Sequence, residues 1–79
     1  MTPIERHLME VLRDARSHPH EKVYVAEANP DLFKYALCLS TLTMVRVEEE
    51  YFEGLKSVRL IGIEELGEKL LDVLLKQSS

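Results

Sequence analysis

An α+β domain in the order helix, strand, helix, strand, strand, helix follows from three observations on this 79-residue chain. Apolar residues recur at helical spacing near both ends, from Ile4 to Ala15 and from Ile63 to Leu75. Between them, VRVEEEYFEGLKSVRLIG (residues 45–62) reads as two β-rich runs around Glu53-Gly54. Pro3 and Pro30 each follow a residue able to cap a helix, Thr2 and Asn29. The expected bounds are helices near 3–17, 30–42 and 63–76, a hairpin at 44–62, and a strand at Val23–Val25 that extends it. Residues 1–76 make a single domain, and Gln77, Ser78 and Ser79 read as a frayed tail.

The first helix has a complete start signal. Thr2 caps, Pro3 fits the first helical position, and Glu5 reaches back to the cap's N–H. Ile4, Leu8, Val11, Leu12 and Ala15 then share one stripe, as a helix with one buried face requires. His18-Pro19 ends it, because a residue before proline is pushed out of the helical region. Lys22-Val23-Tyr24-Val25-Ala26 is β-branched and aromatic and too short for a helix.

Asn29-Pro30-Asp31 opens the second helix with a cap, a proline and an acidic first turn. Leu32, Phe33, Ala36, Leu37 and Leu39 cover more than half its circumference, so most of it is expected to be buried. The face left over is Asp31, Lys34, Tyr35, Cys38 and Thr41.

With Glu53-Gly54 in the turn, Val47 falls opposite Leu60 and Val45 opposite Gly62, while Glu48 meets Arg59 and Phe52 meets Leu55. Glutamate is an unusual residue where φ is positive, so a three-residue loop with Gly54 left-handed competes with the two-residue turn. Gly62 or Ile63 is expected to begin the last helix, with Glu64 and Glu65 in its first turn and Lys76 near its end, both favourable to the helix dipole. Ile63, Leu66, Leu70, Val73 and Leu74 form its stripe, and Leu71 and Leu75 widen it. Leu70, Leu71, Leu74 and Leu75 then suggest a homodimer seam, the alternative being a helix buried within its own chain.

Composition bounds what the chain can do. Its 46% hydrophobic and 30% charged content suits a globular domain. Chains this short bury only about 60% of their unfolded surface. One cysteine, Cys38, forms no internal disulfide, and the start MTPIERHLMEVLRDAR has no 7–15-residue apolar core, so a reducing, cytoplasmic setting is expected. No apolar run approaches the ~18 residues of a membrane span.

Candidate chemistry is thin. His18-Pro19-His20 with Cys38 or His7 does not make the four spaced ligands of a zinc site and reads as an exposed loop. Cys38 has no recognisable base partner and reads as a packing residue. Glu48 to Glu50 alternate across a strand, which suits a solvated edge better than a catalytic acid pair. There is no glycine-rich phosphate loop. No enzymatic activity, cofactor or metal is expected.

ALCLSTLTMVRVEEE resembles a recognition helix running into the wing of winged-helix regulators, and RLIGIEELGEKLLDVL resembles the last wing strand and dimer helix of MarR/PadR-type proteins. Gly67 matches the glycine of that second pattern. A glycine inside a helix costs about 1 kcal/mol relative to alanine, so Gly67 asks for a packing reason. The likeness spans roughly residues 37–75 and implies an abbreviated winged helix that binds duplex DNA as a dimer to control transcription. Lys34, Tyr35 and Thr41 on the second helix and Lys56 on the wing are then the DNA-facing candidates.

Charge argues for another partner. Glu48, Glu49, Glu50 and Glu53 oppose only Lys56 near the wing tip, and phosphate repels such a surface. Arg6, Arg13, Arg16 and Lys22 could supply a basic patch, but Glu5, Glu10, Asp14 and Glu21 match them in number. The second reading is therefore an acidic protein-interaction module, an inhibitor or adaptor on the same fold, using those glutamates and the leucines of the last helix.

Overall fold

Residues 1–78 are described by a computed structural model, and the first turn shows how local chemistry starts the chain. Thr2 Oγ1 accepts from the Glu5 N–H at 3.1 Å, while the Thr2 N–H donates to the Glu5 carboxylate at 3.0 Å. This reciprocal cap begins α1 (Pro3–Ser17). The Thr2 amide, followed by its hydroxyl, holds the Glu5 carboxyl below its ordinary pKa. Val11, Leu12 and Ala15 bury the inner face of α1, with Leu8 partly buried beside them. Ile4 is exposed, against expectation, because the core begins only one turn further along the helix.

β1 (Val23–Val25) and α2 (Pro30–Thr41) follow where the sequence places them. Asn29 precedes α2 but its side chain makes no cap bond. The end of α2 is better built. Met44 N–H donates to the Leu39 carbonyl at 2.9 Å and Thr43 N–H to the Ser40 carbonyl at 3.0 Å, the paired bonds of a Schellman cap. That cap needs a left-handed residue, and Thr43 takes the position at φ 57°. Only Ala36 and Leu39 of α2 are fully buried; Leu32, Phe33 and Leu37 are half-buried, because three strands and one neighbouring helix do not surround it.

β2 (Val45–Phe52) and β3 (Leu55–Ile63) form the hairpin. Glu53 (φ 52°) and Gly54 (φ 81°) are both left-handed, as a type I′ turn requires, so the two-residue loop is the one adopted. Val47 pairs with Leu60, Glu48 with Arg59 and Phe52 with Leu55, as the register reading has it. Below Val47 the ladder slips: Arg46 pairs with Gly62 and Val45 with Ile63, leaving Ile61 as the extra residue of a bulge. Val45 therefore does not face Gly62. The slip keeps Val45 buried and lays the Arg46 side chain over Gly62, where it reaches Glu64 at 2.6 Å.

The sheet order is β1-β3-β2, antiparallel throughout. α1 and α2 lie against the face carrying Tyr24, Val58 and Leu60, and α3 packs on α1. Tyr24 is buried, and its hydroxyl donates to Asp14 Oδ2 at 2.6 Å, tying β1 to α1. Burial first, and then the carboxylate it serves, raise the Tyr24 pKa far above the ordinary phenol value.

α3 (Glu65–Ser78) starts later and ends later than expected. β3 continues through Ile63, and Glu64 N–H donates to the Met44 carbonyl at 2.9 Å, so Glu64 is held at the entrance to β2 rather than inside the helix. Gln77 and Ser78 are helical rather than a frayed tail, and Ser79 lies outside the described residues. Gly67 has its packing reason: a Cβ built there would stand 2.1 Å from the Met44 carbonyl oxygen. Leu71 and Leu74 enter the core, with Leu70 and Leu75 packed against it. Leu66 and Val73, which the stripe places inside, are 49% and 51% exposed. Among the described residues no helix is long and apolar enough to cross a membrane.

Candidate interaction surfaces

Every residue from Tyr51 to Lys56 is exposed, so the tip of the hairpin stands clear of the core. Alternation along the strands sorts the side chains. Tyr51 and Lys56 are cross-strand partners on the side that further down faces the helices, while Phe52 and Leu55 are partners on the other. Tyr51 is 76% exposed, Phe52 50% and Leu55 37%. Three apolar groups thus stand at the tip, Tyr51 on one face and Phe52 with Leu55 on the other, bordered by Glu48, Glu49 and Glu53, none of which forms an ion pair among the described residues.

Glu50 differs from its neighbours. It accepts from Arg59 Nη2 at 2.8 Å and Nε at 3.0 Å, one pleat diagonal from Glu48, which directly faces Arg59. Arg59 Nη1 also donates to the His20 carbonyl at 3.0 Å, so one guanidinium joins β2, β3 and the approach to β1. Ser57 is buried beside this group and donates to the Glu50 carbonyl at 3.0 Å. Glu50 belongs to the sheet's own bonding; Glu48, Glu49 and Glu53 are left for solvent or a partner.

The residues expected to face DNA are dispersed. Lys34 and Thr41 are exposed on one side of α2, two turns apart. Lys34 Nζ lies 5.2 Å from the centre of the Tyr35 ring, and the other neighbour of that ring is His7 of α1, stacked at 5.8 Å and 18°. Tyr35 is therefore half-buried between helices. Asp31 stands 3.6 Å from His7 Nε2. Thr41 Oγ1 donates to the Leu37 carbonyl at 3.0 Å, and Lys56 sits at the hairpin tip, on a different element. Of the leucines expected at a seam, Leu71 and Leu74 are inside the chain's own core, and Leu70 and Leu75 half-buried against it.

No three of His, Cys, Asp and Glu come together among the described residues in a way that would hold a metal ion. His18 approaches Glu21 at 3.9 Å, His20 is held by its backbone, and Cys38 is exposed.

A surface that sequence reasoning undervalued runs along α1. Arg6, Met9, Arg13 and His18 border a shallow depression of about 390 Å³ on its outer face. Glu10 and Asp14 line it as well, so two arginines meet two carboxylates there and the face carries no net charge; three of the four acids near it also make contacts within the chain. Glu5 closes the cap, Asp14 takes the Tyr24 hydroxyl with Lys22 4.0 Å away, and Glu21 stands by His18. Arg6, Arg13 and Arg16 have no ion-pair partner among the described residues.

Compared with protein-family models, curated proteins and solved structures, the chain matches none.

Proposed function

We propose that this chain is a non-enzymatic protein-interaction module whose contact element is the tip of the β2–β3 hairpin. The observation that carries the proposal is the exposed trio Tyr51, Phe52 and Leu55 set among Glu48, Glu49 and Glu53. Exposed aromatics in a cluster mark binding surfaces, since they bring large apolar area at low entropic cost. The surrounding carboxylates select a basic partner and speed encounter with it, while repelling phosphate. A preformed type I′ turn presents the trio without a large ordering cost on binding.

Duplex DNA is the second reading. It is favoured by the exposed side of α2, with Lys34 and Thr41, leading through Leu42–Met44 directly into the hairpin as in an abbreviated winged helix. One variant separates the two. Replacing Glu48, Glu49 and Glu53 by Gln removes charge that forms no internal ion pair, so the fold persists. On the interaction reading, neither wild type nor this variant binds duplex DNA at low salt, and the variant loses association rate with the protein partner. Tighter DNA binding by the variant, with a steep salt dependence, would overturn it.

A further inference from the structure

We infer that the outer edge of β2 accepts an extended cationic segment of another protein as a fourth strand, which rests on the hairpin being the contact element and specifies how the contact is made. Backbone bonding shows which groups the edge offers. The Leu60 N–H donates to the Lys22 carbonyl at 2.9 Å, the Leu60 carbonyl accepts from His20 at 2.8 Å, and the Lys56 carbonyl accepts from Ala26 at 2.9 Å. Leu60 and Lys56 therefore turn their backbone groups toward β1, and alternation makes Val58 do the same. Their partners on β2 are Val47, Glu49 and Tyr51. In an antiparallel ladder these are the non-hydrogen-bonded pairs, so the N–H and C=O of Val47, Glu49 and Tyr51 point away from β3. β2 is the last strand in the order β1-β3-β2, and these groups have no sheet partner among the described residues. They recur at every second residue, the spacing that an added strand requires.

Charge selects the occupant. Residues 45–64 hold five carboxylates, Glu48, Glu49, Glu50, Glu53 and Glu64, against three cations, Arg46, Lys56 and Arg59, so this surface keeps a net negative charge. Arg46 is spent on Glu64 and Arg59 on Glu50, which leaves Glu48 and Glu49 in the middle of the edge. Alternation puts one of these two on each face. An added strand therefore meets a carboxylate across the new ladder whichever face its Lys or Arg side chains take. A second copy does not fit. In the register that pairs the whole edge, Glu49 would meet Glu49 and Glu48 would meet Glu50. The same glutamates that keep two such edges apart leave each open to a strand of opposite charge.

Side-chain sites lie at both ends of the edge. At its foot a depression of about 270 Å³ opens between the end of α2 and β2, lined by Ser40, Thr43, Val45, Val47 and the Arg46–Glu64 pair. In strand addition the main-chain bonds give affinity and such depressions choose the side chains. At the other end Tyr51, 76% exposed, shares a face with Glu49 and offers its ring to a cation seated there.

Amide exchange followed by nuclear magnetic resonance on the full chain tests this, with a capped peptide of alternating lysine and threonine as the probe. Saturating peptide should slow exchange at the Val47, Glu49 and Tyr51 amides by roughly tenfold, about the worth of one net hydrogen bond each. The Glu48 and Glu50 amides, already turned to β3, should keep their rates. A peptide with proline in place of threonine carries the same charge but lacks ladder donors, and should bind roughly tenfold more weakly or not at all. Glu48→Gln with Glu49→Gln should weaken the lysine–threonine peptide by roughly fivefold; if that variant fails to fold, the exchange pattern of the wild type decides alone. No binding, binding without slowed exchange at the three amides, or equal binding of the proline peptide overturns the inference. Slowed exchange at the same amides when the chain alone is concentrated would seat a second copy on the edge and overturn it as well. The hairpin as contact element is judged separately. Loss of partner association on replacing Glu48, Glu49 and Glu53 upholds that reading even where no strand is added, and unchanged association defeats it whatever the peptide does.

Discussion

Replacing Gly67 by alanine should destabilise the chain, although alanine is the better helix former. The added Cβ would stand 2.1 Å from the Met44 carbonyl oxygen, 2.9 Å from its carbon and 3.0 Å from Ile63 Cγ1. Close C···O contacts run to about 3.3 Å, so α3 and Met44 must separate by roughly 1 Å. The obstacle is backbone and has no rotamer to change. Moving it strains the bond from Glu64 N–H at 2.9 Å, worth about 1 kcal/mol net, and disturbs Val45, buried at the start of β2. Overpacking adds about 1–3 kcal/mol. Alanine's helix preference returns about 1 kcal/mol. The balance is a loss of roughly 1–3 kcal/mol from a total near 4–12 kcal/mol for a chain of this length. Thermal unfolding followed by circular dichroism should then show Tm lower by roughly 5–20 °C. Glu68→Ala, at an exposed position in the same helix, should stay within about 0.5 kcal/mol of wild type. An unchanged or higher Tm for Gly67→Ala would refute the close approach of α3 to Met44.

Three further perturbations probe other parts of the molecule. Thr43→Gly should stabilise by about 0.5–1 kcal/mol in urea unfolding, since a β-branched residue at φ 57° carries about 1–2 kcal/mol of strain and glycine's added unfolded-state entropy offsets part of the relief. A loss of stability would place the strain elsewhere. Tyr24→Phe removes the hydroxyl that donates to Asp14 while keeping the ring in the core, and should cost about 1–2 kcal/mol with no change in the circular dichroism spectrum. At the amino terminus, the folded-state pKa of Glu5 lies below its ordinary 4.5, so its stabilisation is present above that value and lost as pH falls through the folded pKa. Glu5→Gln should therefore be less stable than wild type at pH 7 and closer to it at pH 3; a difference of equal size at both would show that charge is not involved.

The order and type of all six elements were legible because each carries its own local signal: the cap at Thr2, the prolines, the alternation around Gly54. Where sequence misled, the cause was tertiary. Leu66 and Val73 fit the helical stripe of α3 as well as Leu71 does, but helical spacing cannot tell which part of a wide stripe finds a neighbour. The bulge at Ile61 depends on Arg46 crossing Gly62 to Glu64, a contact between elements that periodicity does not encode. Of the candidate surface, the glutamate cluster was plain to read. Phe52 opposite Leu55 looked like an ordinary apolar pair, but it lies on the sheet face away from the helices, while the length by which the hairpin outruns the helices exposes Tyr51 on the other face. The depression on α1 was not legible, because helical spacing does not show where an outer helix face is concave.

The Arg59 guanidinium, bound to Glu50 on one side and the His20 carbonyl on the other, also divides the hairpin in time. Below it, the strands share three-stranded pairing and a helix-covered face, and their hydrogen-bonded amides should exchange with solvent only through openings that disturb the whole sheet. Above the Glu50–Ser57 pair remain two cross-strand pairs, Tyr51 with Lys56 and Phe52 with Leu55, closed by one turn. Beyond the strand pairing itself, the bond from the Ala26 N–H to the Lys56 carbonyl, at 2.9 Å, ties them to the rest of the sheet, so their fluctuations need little more than its opening. A surface that meets a partner can in this way adjust within nanoseconds to microseconds while the fold that carries it stays closed.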